Sequence, residues 1–168
     1  MINLFARPYD LGATGFFFES AEEFAQKAAA LKNEAGQPVE EFELQFIDGE
    51  RLDAELFAAL SVNQTTVAVF LERATQWAND EKQRVIIAVA ECGHEFDLDS
   101  DTPDDLDVDL HPIDSLRELA QQFVDEGLFG TIPDRLQCYL DYDAIARDLG
   151  IDYSETTIAG DRLVYRCG

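Results

Sequence analysis

Carboxylates are the residues of this sequence whose spacing could support chemistry. Asp97, Asp99 and Asp101 alternate along the chain, a pattern typical of oxygen ligands that fold around a hard cation such as Ca²⁺. An EF-hand loop that begins at Asp97 requires glycine in the sixth position and glutamate in the twelfth, where Thr102 and Val108 stand. The pattern therefore predicts no dedicated calcium site, and only loose, weak cation binding stays open.

Zinc ligands and catalytic groups are also sparse. Cys92 and His94 lie two residues apart, but no C-x-x-C pair accompanies them, so a zinc site would need scattered ligands. Paired carboxylates can perform acid–base catalysis, yet among 35 Asp and Glu such pairs occur by chance. The sequence contains neither a phosphate-binding glycine loop nor a nucleophile elbow. We therefore expect no catalytic residue, no metal and no cofactor.

The net charge is the most unusual property of the chain. Asp and Glu number 35 and Lys and Arg 12, which gives a formal net charge of −23. Solubility alone is served by a charge magnitude of about 2 to 8. A halophilic proteome, calcium binding or a surface that meets a basic groove would each explain the excess. Direct nucleic-acid binding is disfavoured because such domains are basic. Duplex DNA would spread 23 charges over roughly 39 Å of its axis.

The chain has enough apolar residues to fold in spite of this charge. Hydrophobic residues make up 46% of the sequence and 12 are phenylalanine, which argues against disorder. We predict an α+β protein of three small lobes, with boundaries at 1–61, 62–103 and 104–168. No apolar run reaches the roughly 20 residues of a membrane span, and the N-terminus lacks the features of a signal peptide. We therefore expect a cytoplasmic protein that does not contact membranes.

Local patterns predict the elements of the first and middle lobes. Residues 16–18 form an apolar strand, and Ser20 with Glu23 forms a capping box that opens a helix closed by Gly36. Residues 41–46 alternate as a half-buried strand does. Asn63 caps a helix through Trp77, and a second helix begins near Asp80.

The third lobe contains three helical stretches and a hairpin. Ser115 and Glu118 form a second capping box, and Gly127 ends the helix that it opens. A helical stretch starts at Pro133, and another runs from Asp143 to Leu149. Residues 155–165 turn at 159–161 as a β-hairpin. Tyr139 and Tyr142 either close a small core or face a partner, and the sequence leaves both options open.

Residues 91–109 differ in character from the rest of the chain. Nine of these nineteen residues are acidic and none is Lys or Arg. Apolar residues alternate with many of the acids, so we expect an extended or turn-rich stretch that is held at its apolar positions and presents its carboxylates outward.

Three segments of the C-terminal third resemble the ArdA family of antirestriction proteins. Residues 127–136, GLFGTIPDRL, and 139–149, YLDYDAIARDL, resemble the proline-led turn and the following helix of that family. The helix start at 115–120, SLRELA, is similar as well. The resemblance implies an elongated chain of three α/β lobes that pairs into a curved, acidic homodimer. It also implies a DNA mimic that occupies the DNA-binding groove of type I restriction-modification enzymes and protects incoming mobile DNA.

The predicted binding site is a set of acidic side chains that act together in place of phosphates. They are Glu91, Glu95, Asp97, Asp99, Asp101, Asp104, Asp105, Asp107, Asp109, Asp114, Glu118, Asp125, Glu126, Asp141, Asp143 and Asp148. The alternative function is an acidic interaction module or chaperone that binds a basic cellular protein. Selectivity separates the two, because a chaperone binds many basic proteins whereas a mimic competes with DNA on one class of enzyme. A hydrolase with buried carboxylates is the third possibility.

Overall fold

The protein is an α+β chain with seven helices and two small antiparallel sheets, in agreement with the predicted fold class. The computed structural model describes residues 1–168. The helices are α1 (Ala21–Ala30), α2 (Arg51–Ala59), α3 (Val67–Gln76), α4 (Asn79–Ile86), α5 (Leu116–Asp125), α6 (Asp134–Gln137) and α7 (Tyr142–Leu149). The strands are β1 (Asn3–Pro8), β2 (Phe16–Phe18), β3 (Phe42–Asp48), β4 (Val108–His111), β5 (Ser154–Ile158) and β6 (Asp161–Cys167).

The chain divides into two compact units, Met1–Leu106 and Asp107–Gly168. The first unit contains a sheet of order β2-β1-β3, and the second a sheet of order β4-β6-β5. The three predicted lobes with boundaries after residues 61 and 103, the elongated shape and the homodimer stay predictions.

Alternating apolar residues bury one face of the first sheet. Leu4 and Ala6 of β1 are fully buried, and Leu44 of β3 lies on the same side as these two. The Phe18 ring lies 4.9 Å from the Phe24 ring of α1, a tilted arrangement that favours aromatic packing. The predicted strands at 16–18 and 41–46 are thus confirmed as β2 and β3.

The predicted start of α1 is confirmed, and its predicted end is wrong. The Ser20 hydroxyl accepts a hydrogen bond from the Glu23 amide, 3.1 Å away, as an N-cap does. The helix ends at Ala30 because the next residue, Leu31, is extended and accepts a hydrogen bond from the Val39 amide. Gly36, with φ of 78°, lies in the turn between Leu31 and Val39.

One helix that was not predicted, α2, lies just before the predicted helical middle of the chain. Asn63 does not cap α3 directly. Its side chain accepts from the Thr65 amide, and its carbonyl oxygen accepts from the Val67 amide at the start of the helix. α4 continues into a π-helical turn, Ile87–Glu91, whose first two residues are buried. This turn ends at Glu91, the first residue of the acidic stretch, which comprises residues 91–109.

A buried ion pair connects α2 to α4. The Lys82 Nζ lies 2.6 Å from the Asp53 Oδ1, and the two side chains are only 6% and 9% exposed. Burying two charges is costly unless they pair closely, and this geometry satisfies that condition.

The second unit packs α5 and α7 against its sheet. Its core contains Leu119, Tyr153 and Val164, with Phe123 and Leu149 packed against them. The predicted hairpin is confirmed as β5 and β6, which meet at the Ile158–Asp161 pair. Positive φ angles at both intervening residues fit the two-residue turns that match the twist of a hairpin.

The helix ends of the second unit follow the predicted caps in most cases. The Ser115 hydroxyl accepts a hydrogen bond from the Glu118 amide at the start of α5. At its end, the Gly127 amide donates to the Val124 carbonyl and the Leu128 amide donates to the Phe123 carbonyl, as in a Schellman motif. Pro133 precedes α6, but this helix stops at Gln137. A new helix, α7, begins after Asp141, whose carboxylate accepts from the Ala144 amide.

Candidate partner-binding surface

Most of the predicted acidic site lies on the protein surface. Of its sixteen residues, fourteen are exposed, and only Asp101 and Asp109 are partly buried. Seven of them belong to the first unit and nine to the second. Each unit therefore contributes its own group of exposed carboxylates.

A backbone hydrogen bond and apolar contacts hold the acidic stretch of the first unit against the rest of that unit. The His94 amide donates to the Ala88 carbonyl at 2.8 Å. The Phe96 ring packs edge-on against Trp77 with 5.9 Å between centroids, and Leu98 is 5% exposed. These apolar side chains point inward, whereas Asp97 between them and the flanking Glu95 and Asp99 are exposed, as the alternation predicts.

Two of the three alternating aspartates, Asp97 and Asp101, stabilise a turn of the backbone through their carboxylates. An Asp97 carboxylate oxygen accepts from the Asp99 amide at 3.0 Å, and an Asp101 oxygen accepts from the Asp97 amide at 2.8 Å. The chain contains no cluster of three or more His, Cys, Asp or Glu side chains arranged to hold a metal ion. The alternation therefore has a structural explanation that requires no cation.

A second local cap follows at the 3-10 turn Pro103–Asp105. The Asp105 carboxylate accepts hydrogen bonds from the Thr102 hydroxyl at 2.8 Å and from the Thr102 amide at 3.0 Å. These two bonds lower the pKa of Asp105, the hydroxyl bond more than the amide bond. The neighbouring Asp104 carboxylate makes no such bond and is exposed.

In the second unit, Asp109 is the centre of a polar network. The Tyr153 hydroxyl donates to its Oδ2 at 2.9 Å, the His111 Nε2 lies 3.1 Å from its Oδ1, and the Arg166 guanidinium lies 3.8 Å away. Burial opposes ionisation of this carboxyl, but the hydrogen bond from Tyr153, the adjacent His111 ring and the Arg166 charge outweigh it and lower the pKa of Asp109. Burial and the bond to Asp109 raise the pKa of Tyr153.

We expect this network to make stability depend on pH. Because the folded-state pKa of Asp109 is lowered, its contribution is fully present above its ordinary value of 3.8 and is lost as the pH falls through the folded value. The free energy of unfolding in urea should therefore fall less steeply below about pH 5 in Asp109→Asn than in the wild type. Asp114→Asn, which changes an exposed carboxyl without a partner, should keep the wild-type slope. Equal slopes in all three proteins would contradict this assignment.

The sixteen acids fall into two groups of eight according to their partners. Those with a hydrogen-bond or ion-pair partner in the chain are Asp97, Asp101, Asp105, Asp109, Glu118, Glu126, Asp141 and Asp143. Those whose side chains have none are Glu91, Glu95, Asp99, Asp104, Asp107, Asp114, Asp125 and Asp148. We call the second group the partner-free acids. Their carboxylates are exposed and can meet an external cation without breaking a bond inside the protein.

A groove of about 440 Å³ lies beside the acidic stretch in the first unit. Its apolar lining comes from Leu60, Phe96 and Leu98. Its polar lining comes from Thr66, Glu95, Asp97 and Asp101. Sequence reasoning missed Leu60 and Thr66, because only the fold brings the end of α2 and the start of α3 next to a loop that begins at Glu95, 35 and 29 residues later.

The segment after α5 exposes apolar side chains. Leu128, Phe129, Leu136 and Tyr139 are 46% to 81% exposed. Residues 128–139 contain one acid and one base, so this part of a strongly acidic chain is close to neutral. Tyr139 is 81% exposed and closes no core, which resolves its role in favour of the surface.

None of the helices is both long and apolar enough to cross a membrane. In comparisons with known proteins, the model of the family described as antirestriction protein (ArdA) matches residues 17–161, which is most of the chain. No curated protein matches the chain.

Proposed function

We propose that this chain, which belongs to the ArdA family of antirestriction proteins, is a DNA mimic that occupies the DNA-binding groove of a type I restriction-modification enzyme. Family membership supports the antirestriction function itself, and the family is not one of known catalysts. Occupation of the groove would keep the enzyme from incoming mobile DNA. The protein would act by binding alone, in the cytoplasm and without a cofactor.

The observation that carries the proposal is the group of eight exposed, partner-free acids. An enzyme groove that binds duplex DNA places Lys and Arg side chains against phosphates. A carboxylate that already accepts bonds within its own chain competes poorly for such cations. The partner-free acids have no internal bond to lose, so their full charge is available to the enzyme.

Charge sign and arrangement make different contributions to this binding. The net charge of −23 attracts a basic groove at long range and raises the rate of encounter. The position of individual carboxylates fixes how the two surfaces match. The eight partnered acids, such as Asp141 at the start of α7, shape the surface locally and add to the field.

Self-association into a homodimer is part of the proposal. Two copies of a chain with a charge of −23 repel one another, so they should meet where acids are few. The near-neutral segment 128–139, with its exposed Leu128, Phe129 and Tyr139, meets that condition. A dimer would double the length of acidic surface that the enzyme can bind.

Competition with DNA tests the function directly. Purified protein is titrated against a type I restriction enzyme bound to labelled duplex DNA, at low and at moderate salt. We expect displacement at near-stoichiometric protein, weakening as salt rises, because both partners interact mainly through screened charges. No displacement at a large excess of protein would overturn DNA mimicry and favour an acidic module that binds a basic cellular protein.

A further inference from the structure

We propose that the groove lined by Leu60, Phe96 and Leu98 receives one lysine or arginine side chain of the basic partner, with its charged end on Glu95. This inference rests on the proposed function, since the partner is the enzyme that DNA mimicry requires. It adds a specific contact to a surface that otherwise acts through its summed charge.

The composition of the groove matches the two-part chemistry of a long cationic side chain. Such a side chain lays its apolar stem along apolar surface and keeps its charged end in a polar environment. Leu60, at the end of α2, and the loop residues Phe96 and Leu98 supply the apolar surface. Glu95 supplies an exposed carboxylate that lines the same groove.

Glu95 is distinguished from the other two acids of the groove by its lack of internal bonds. Asp97 and Asp101 hold the turn that follows Phe96, each through a backbone amide within 3.0 Å. The Glu95 side chain has no partner in the chain. It is therefore the carboxylate of the groove that can bind an external cation at no cost to the turn.

The size and charge of the groove are consistent with this occupant. Its volume of about 440 Å³ lies within the range of roughly 300 to 1,000 Å³ common for binding pockets. No Lys or Arg occurs between Arg84 and Arg117, so no neighbouring residue in this part of the sequence supplies a positive charge. An arginine would gain in addition from the face of the half-buried Phe96 ring.

Two charge-matched variants test the groove in the DNA displacement assay. Glu95→Gln should raise the protein concentration needed for half-displacement by about tenfold, because a desolvated ion pair is lost. Glu34→Gln is the control: it removes one exposed carboxylate that lies outside the predicted site and has no partner in the chain. It should change that concentration by less than about twofold. Equal effects of the two substitutions would overturn the groove contact and leave DNA mimicry standing.

A second measurement does not depend on the enzyme. Trp77, the one tryptophan of the chain, contacts Phe96 and so reports on the groove by its fluorescence. Titration with a capped triarginine peptide at low salt should change this fluorescence saturably in the wild type and in Glu34→Gln. It should do so with at least about tenfold weaker affinity in Glu95→Gln. The same titration curve for all three proteins would sink the proposal, whatever the outcome of the displacement assay.

Discussion

Replacement of all eight partner-free acids by their amides should weaken displacement of DNA from the restriction enzyme by at least about 100-fold. An exposed ion pair contributes roughly 0.2 to 1 kcal/mol, so most single replacements should cost less than about fivefold, with Glu95→Gln as the exception argued above. Eight such terms together amount to several kcal/mol. The measurement is the protein concentration for half-displacement, determined for each single variant and for the combined variant.

A matched control separates position from net charge. Eight other acids are exposed and have no side-chain partner in the chain: Glu19, Glu34, Glu40, Glu41, Glu50, Asp80, Asp134 and Asp152. Their combined replacement changes the net charge by the same amount. We expect it to slow association while keeping most of the affinity, because long-range steering depends on total charge and tight binding depends on contacts.

Two outcomes would contradict the arrangement that we propose. If the two combined variants lose displacement equally, the protein acts through net charge and the partner-free acids form no particular surface. If a single replacement abolishes displacement completely, one specific pocket accounts for binding and the collective surface does not. Circular dichroism of each variant shows whether it remains folded.

Local signals account for the elements that could be predicted from the sequence. Ser20 and Ser115 cap their helices because the bond from a serine hydroxyl to an amide three residues later depends on little else. β3 could be recognised because strict alternation needs no distant partner. In contrast, β1 contains Ala6 and Pro8, whose weak strand propensities conceal it. α2 begins at Arg51, and Glu50 before it provides no side-chain cap.

The sequence predicts which acidic side chains face outward, but it does not reveal which of them accept hydrogen bonds within the chain. The alternation of acids with apolar residues predicted which side chains face outward. The bond between Asp109 and Tyr153 spans 44 residues and depends on the sheet of the second unit, so no local pattern reveals it. The groove beside Glu95 likewise depends on Leu60, which local patterns place only at a helix end. Distinguishing free from engaged carboxylates therefore required the fold.

Among the ion pairs of the first unit, the buried Lys82–Asp53 pair should have the largest effect on the free energy of unfolding. Replacing either partner by alanine leaves one charge buried without compensation, which we expect to cost about 3 to 5 kcal/mol of unfolding free energy. Urea unfolding of Lys82→Ala and Asp53→Ala measures this loss. Arg7→Ala removes one partner of the exposed Arg7–Glu43 pair, whose atoms lie 3.7 Å apart, and should cost no more than about 1 kcal/mol.

The double variant Lys82→Met with Asp53→Leu shows whether the cost comes from the unpaired charge or from lost packing. Apolar side chains of similar length remove both charges while filling the space between α2 and α4, and buried pairs replaced in this way often lose little stability or gain some. We therefore expect the double variant to recover most of what either alanine variant loses. A double variant as unstable as the singles would mean that the pair holds the two helices through its specific hydrogen-bond geometry. Because Asp53 is buried, its charge is unavailable to a partner, and the double variant should displace DNA as the wild type does.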